Sequence, residues 1–431
     1  MKAKVLIVGG GVMGNAIALS AARFFDPLRQ PVVLLERSAL ASGSSGASGA
    51  ILRQHYADRM IGAMARDSMR AYSSFESRTG RTLGFQRAGV LTLAGPSRPE
   101  TIERLTRNVD QQTELGIRTQ LLDAEGVRAL VPNIEVDDGV IAAWEPQGGY
   151  VDPTTTVEQF AALARTYGAS TRTGVEILSI DVREGRVVGA ETTEGHYDVD
   201  TIVIVAGAHC RHLLQKLGVE MPLRVARVEQ HFFRMPSDDL EDDSGALGET
   251  SSWALVDLDD PLVSEGEADP DEAIKGLPHP VILDLEYGFY TRCEANHGRT
   301  RVCPINYDPQ EIFDEPQAKS APRPELAERA RELLVKRLPY YADEPMVGEQ
   351  VSWFPLTPDG RAMIGPVPGV EGAFVAAGFA DHGFKLAPSV GDGMAQMIAG
   401  EPVSAFDLEY FDPARFLDFD QTEDWSGRLY L

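Results

Sequence analysis

The chain is 431 residues long and carries a formal net charge of −25, from 65 acidic and 40 basic side chains. That length supports more than one hydrophobic core, and the charge argues against a nucleic-acid partner, whose phosphates would be repelled without a strong local basic patch. No uninterrupted apolar run approaches the about twenty residues of a membrane span, and the three cysteines, Cys210, Cys293 and Cys303, are too few for a disulfide scaffold and show no metal-type spacing.

The N-terminal residues Met1 to Lys4 lead directly into an apolar run, Val5 to Val8, which reads as a strand buried on both faces. This start leaves no room for a cleavable leader, and with the cysteine count it predicts a cytoplasmic protein. Glycines follow at 9, 10, 11 and 14. Gly9 permits a sharp turn, Gly11 a close approach of backbone to a pyrophosphate, and Gly14 tight packing of the next helix, predicted from Asn15 to Phe25. The amide groups and positive dipole end of that helix would face phosphate. A second apolar strand, Val32 to Leu35, ends in Glu36 and Arg37; the acid stands about twenty residues past the last glycine, where it would hold a ribose hydroxyl.

The stretch Ala41 to Ala50 is almost wholly small residues, so its backbone and the hydroxyls of Ser44 and Ser45 are expected to crowd a ligand. A helix is predicted from Arg59 to Thr79, a strand from Gly89 to Ala94 and a helix from Arg98 to Thr113. The run Gly149-Tyr150-Val151-Asp152-Pro153 opens a helix through Tyr167. Strands are predicted over Gly174–Val182, Val187–Thr193 and Thr201–Val205, the last meeting Ala206 and the close-approach glycine Gly207. The segment from Ser237 to Glu272 is dense in Asp and Glu and reads as a solvated excursion, with a docking surface for a basic partner as the alternative. Further strand is predicted from Val281 to Tyr290, a charged helix over Pro324–Leu338, extended chain over Trp353–Pro358 and Ala373–Ala377, and a last helix ending at Ile398.

Four motifs, in this order, resemble the FAD-dependent D-amino acid oxidase superfamily, most closely its sarcosine oxidase and glycine oxidase branches. They are Gly9, Gly11, Gly14 with Glu36; Gly149 to Pro153; Val205-Ala206-Gly207-Ala208; and Thr357-Pro358-Asp359-Gly360 followed by Gly378 to Lys385. The resemblance covers nearly the whole chain outside the acidic stretch and the last residues. It implies an α/β fold with a discontinuous Rossmann-like FAD-binding domain (residues 1–85, 149–225 and 346–405). An α+β substrate domain on an antiparallel sheet would be inserted as residues 86–148 and 226–345, with 406–431 as a C-terminal tail.

The same resemblance implies further site residues. Val175 would contact adenine, and the turn Gly378 to Lys385, with Gly383 and Phe384, would lay its amides beside the pyrimidine end of the flavin. Arg53 and Lys385 match positions that hold a substrate carboxylate. Tyr290 and Arg292, ending a strand of the substrate domain, rank next, ahead of His55, Tyr56, His297 and His382. Three departures stand out: Ser352 where some relatives carry a flavin-tethering cysteine, Arg301 in place of an oxygen-activating lysine, and Phe354 in place of a hydroxylated aromatic. Non-covalent FAD and no metal are therefore expected. The implied activity is FAD-dependent oxidation of a primary or secondary amine bearing a carboxylate, by hydride transfer to flavin N5, giving an imine that hydrolyses. The alternatives are a dehydrogenase passing electrons to a quinone or carrier protein rather than oxygen, a 2-hydroxy acid oxidase, and a non-catalytic flavoprotein subunit docking a partner.

Overall fold

The computed structural model describes residues 1–236, 277–306, 308–316 and 321–419. The acidic stretch read as an excursion, Ser237 to Glu272, lies wholly outside them, as does the end of the tail.

Two large sheets organise the chain. In the first, β1 (Lys2–Val8) lies between β2 (Val32–Glu36) and the strand Gly195–Ile204, and all run parallel. Ser170–Thr173 extends this core parallel beyond β2, and Ala373–Ala377 extends it parallel beyond Gly195–Ile204. Met363–Pro366 and the hairpin Ile177–Arg183/Arg186–Thr192 add antiparallel margins. The continuous apolar runs follow from double-sided burial. Val5, Ile7, Val32, Leu34 and Val203 enter a core under helices, whereas Leu6, Val8, Val33, Leu35, Ile202 and Ile204 enter a separate core on the other face.

Helix α1 (Val12–Phe24) packs on the first core between the helices Gly383–Ala399 and Pro153–Thr166. The closest approach is at Gly391, where an added Cβ would come 2.8 Å from the carbonyl oxygen of Ala16. Among the described residues the second sheet has nine strands and is antiparallel except where Val281–Asp284 runs beside Val90–Ala94. Its longest pair joins Arg224–Arg234 to Met346–Leu356. A short two-stranded piece pairs β3 (Ile51–Leu52) with Gly149–Tyr150.

Several elements differ from expectation. The strand expected over Gly174–Val182 is two strands, Ser170–Thr173 on β2 and Ile177–Arg183 in the hairpin, because Gly174 turns the chain with φ +77. The stretch Val281–Tyr290 is likewise interrupted: Asp284 Oδ1 accepts the Tyr287 N–H at 2.8 Å, which turns the chain between Val281–Asp284 and Phe289–Glu294. The helix from Arg59 stops at Ser73 and a short one, Phe75–Thr79, follows, with the Ser74 hydroxyl bonded back to the Arg70 carbonyl. Helix α1 begins at Val12 rather than Asn15, so Gly14 lies in its first turn. The extended chain expected from Trp353 begins earlier, as the strand Met346–Leu356, and stops at Leu356.

Gly391→Val should destabilise the fold by about 1–3 kcal/mol through overpacking against α1. Gly348→Ala, whose Cβ meets only Phe232 at 3.6 Å, should stay within about 0.5 kcal/mol of the parent. Thermal unfolding of the two variants side by side checks this.

Candidate functional site

A cavity of about 1280 Å³ opens where the parallel strands of the first sheet end. Its floor is the chain just beyond four strand ends: Gly9–Gly11 after β1, Arg37 after β2, Val205–Gly207, and Phe379–Asp381. Such sheets bind ligands outside the carboxyl ends of their strands. The small-residue stretch 41–50 forms one wall, and Leu283, Tyr290, Ile305 and Phe354 bring in the second sheet.

At one end the glycines act by different means. Gly9 sits at φ +128, and a Cβ there would reach 2.5 Å from the Val205 carbonyl oxygen. Gly11 faces the cavity, where a Cβ would meet the Ser45 hydroxyl at 2.8 Å. Gly14 does not line the cavity; a Cβ there would overlap the Gly9 carbonyl, so it is the packing glycine. Glu36 Oε2 accepts the Gly10 N–H at 2.7 Å and Oε1 accepts the Ser38 N–H at 2.8 Å. The Ser45 hydroxyl accepts the Val12 N–H at 3.0 Å, and the Ser44 hydroxyl donates to the Trp353 carbonyl. Arg37 lies 2.8 Å from His209 Nε2. The Val175 N–H donates to the Glu36 carbonyl at 3.0 Å and, with Ala206 and Gly207, Val175 lines this end.

The other end is built on two cations drawn from distant segments. Pairing of β3 with Gly149–Tyr150 fixes the chain that carries Arg53, so the second motif aims this side chain and then starts a helix, with Asp152 Oδ1 accepting the Thr155 N–H. Arg53 is 1% exposed and lies over the Tyr56 ring at 4.2 Å. Its Nη1 donates to the His55 carbonyl, while Nη2 has no hydrogen-bond partner. Behind it, the buried Glu145 accepts the Gln54 N–H at 2.7 Å. Burial pushes the Glu145 carboxyl up to about 7, against the pull of that amide and of Arg53.

Lys385, in the first turn of Gly383–Ala399, is 7% exposed and donates to the Asp381 carbonyl at 2.7 Å. Burial and the nearby Arg53 lower its ammonium to about 8, although Asp381 raises it. Burial lowers His382 to about 4, so its ring is neutral at physiological pH; Nδ1 lies 3.3 Å from the Tyr56 hydroxyl. Burial would raise the Asp381 carboxyl, but His382, Lys385 and Arg53 together hold it well below the ordinary range.

The remaining expected residues divide. Tyr290, Gly383 and Phe384 line the cavity with Arg53 and Lys385. Gly378 does not; it packs against Thr357, whose hydroxyl donates to the Arg361 carbonyl at 2.7 Å. Arg292 is also outside the cavity wall: its Nη2 binds Glu294 at 2.9 Å and its guanidinium lies 4.2 Å over the Tyr150 ring. Arg301 binds Glu294 at 2.7 Å and also donates to the carbonyl of Ala47. His55 is buried between Gln112 and Asn108, and His297 is on an exposed turn. Ser352 lines the cavity, its hydroxyl buried and without a hydrogen-bond partner. Asp381 and Glu145 escaped the sequence reading. Asp381 lies four residues before Lys385, a spacing that signals an ion pair, whereas Glu145 carries no local signal. Among the described residues, Asp181, Glu191 and His196 form one metal-compatible group, where the hairpin meets the start of Gly195–Ile204, and none of the three lines the cavity.

These residues fit an extended flavin dinucleotide. Two helices, α1 and Gly383–Ala399, begin at the cavity with no side-chain cap from their N-cap residues, Gly11 and His382, and the wall between them is nearly free of bulky side chains. The comparisons agree. Residues 4–397 match the family described as FAD dependent oxidoreductase. The chain is 26% identical to the 4-methylaminobutanoate oxidase (formaldehyde-forming) of Paenarthrobacter nicotinovorans, over 99% of its own length and 48% of that protein. It is 25% identical to human peroxisomal sarcosine oxidase over 95% of each. The chain thus spans about half of the first relative and nearly all of the second. Among solved structures, L-proline dehydrogenase from P. horikoshii shares the fold with a TM-score of 0.79 at 21% identity, covering 96% of this chain and 98% of that one.

The Lys385 ammonium should titrate near its lowered midpoint of about 8. Asp381→Asn should move that midpoint further down, because the carboxylate favours the charged form. NMR of reductively ¹³C-methylated protein, with Lys385→Met assigning the signal, reads both.

Proposed function

The chain belongs to the FAD-dependent oxidoreductase family, and from that footing we propose that it oxidises a carboxylate-bearing amine of the N-methyl or D-amino acid type. The observation that carries this reading is the pair Arg53 and Lys385, both buried and both lining the cavity end where Gly383–Ala399 begins. Two desolvated cations facing a cavity are costly unless an anion joins them. The names of both curated relatives describe an N-methylated amino acid, which supports the same substrate class.

Bound FAD supplies the acceptor for a hydride from the carbon next to nitrogen. Gly9, Gly11 and the amides at the start of α1 would hold its pyrophosphate, Glu36 its ribose, and Val175, Ala206 and Gly207 its adenine side. The amides of Gly383 and Phe384 would face the ring. The chain's task toward substrate is to bind and orient. The free Nη2 of Arg53 and the remaining hydrogens of Lys385 take the carboxylate oxygens, fixing which C–H is presented. Phe354, Leu283 and Ile305 exclude water and favour the neutral amine, and Tyr290 closes the wall. The amine loses a hydride and a proton, and the resulting imine hydrolyses in water to a carbonyl compound and a smaller amine.

With Ser352 where a cysteine would tether the cofactor, FAD should be held without a covalent bond; acid precipitation should leave the yellow colour in the supernatant. A second reading rests on Arg301, which is committed to Glu294 and to the Ala47 carbonyl rather than to the cavity. It favours a carrier over oxygen as electron acceptor, and slow reoxidation of reduced protein in stopped-flow mixing with oxygen would support it.

The test is anaerobic bleaching of the flavin across an amine and amino-acid panel, with variants. Arg53→Met and Lys385→Met should each weaken carboxylate binding about ten- to a hundredfold, the loss of a charged hydrogen bond. In the parent, binding of an unreactive carboxylate should weaken as pH rises through about 8, where Lys385 loses its proton; that limb should vanish in Lys385→Met. Unchanged binding in both variants would remove the assignment.

A further inference from the structure

Asp381 places a third charge inside the cation pair. Its Oδ2 lies 3.7 Å from Lys385 Nζ and 3.9 Å from Arg53 Nη2, and its side chain is 29% exposed where the two cations are nearly sealed. Those separations are too long for hydrogen bonds. The carboxylate therefore offsets charge without occupying the donors, and Arg53 Nη2 stays unpartnered. Its position is specified by the backbone: the preceding Ala380 is held at φ 48, a conformation rare for a residue with a Cβ, with its N–H bonded to the Pro355 carbonyl at 2.9 Å.

At this end of the cavity the cations Arg53 and Lys385 stand against Asp381, with the buried Glu145 behind Arg53. The net excess is one positive charge at most. We propose that Asp381 is a specificity-determining residue that restricts the pocket to ligands carrying a single carboxylate and rejects dicarboxylates. This rests on the reading of Arg53 and Lys385 as the carboxylate clamp. A lone anion leaves the pocket neutral, whereas a second carboxylate would be buried beside Asp381 with no cation to meet it.

Calorimetric titration of the FAD-loaded protein with propionate and with malonate tests this without turnover, in slightly acid buffer below the midpoints of Glu145 and Lys385. The parent should bind propionate and discriminate against malonate. Asp381→Asn should improve malonate binding relative to propionate by about tenfold, the effect of removing one like charge a few ångströms away. Asp381→Glu should restore the parental ratio even if both acids bind more weakly, which a merely structural role would not do. An unchanged ratio in Asp381→Asn, with binding of both acids still lost in Arg53→Met, overturns the proposal and leaves the clamp standing. Binding of both acids indifferent to Arg53→Met and Lys385→Met overturns the clamp and the proposal with it.

Discussion

The architecture depends on backbone meeting backbone with no side chain between, at the point where the first sheet hands over to the first helix. Gly9 lies against the Val205 carbonyl and Gly14 against Gly9 itself, so β1, its neighbouring strand and α1 converge more closely than any Cβ would allow. This convergence sets the depth of the cavity floor. It also aims the first turn of α1 at the cavity, where an anion gains most from the helix's positive end. Gly391 repeats the device on the outer side of the same helix, letting Gly383–Ala399 settle against Ala16. The two helix starts that face the cavity are thus set by three absent side chains.

Charge is managed separately in each half of the molecule. In the second sheet, burial opposes ionisation of Glu294, yet Arg301, Arg292 and Arg299, all of which pair with it, hold its carboxyl down to about 2. Arg337 is likewise committed to Asp284 and Glu286. Neither cluster offers a charge to a ligand. Around Arg53 and Lys385 the balance is left incomplete, with a donor open and the lysine poised near neutrality. Position separates the two: Arg53 and Lys385 line the cavity, whereas Arg292, Arg299, Arg301 and Arg337 do not.

The first sheet was readable because burial on both faces writes itself as unbroken apolar runs, Val5 to Val8 and Val32 to Leu35. The same logic hid Arg224–Arg234, which is buried along nearly its whole length yet carries Arg227, Glu229, Gln230 and His231. Arg227 donates to Glu229 on its own strand and Gln230 donates to the Ala47 carbonyl, so polar residues sit within a core strand and composition gave no hint of it. Arg292 looked like a pocket residue because a strand-end arginine is conspicuous. Glu294, two residues on and so on the same face of that strand, was the local sign that it was already paired. Asp381 was legible only in part: its spacing to Lys385 signals an ion pair, but its approach to Arg53 is made only by the folded chain.

That separation bears on how the protein is made. The cavity is assembled from Gly9, Arg53, Gly207 and Asp381, and strand Ala373–Ala377 joins the sheet only by pairing with Gly195–Ile204. On the ribosome, the nucleotide-facing turn emerges early but has no roof until the last long helix has left the exit tunnel. Cofactor capture is therefore tied to synthesis through Gly383–Ala399, and a nascent chain interrupted before Gly383 would hold half a cradle and nothing to close it.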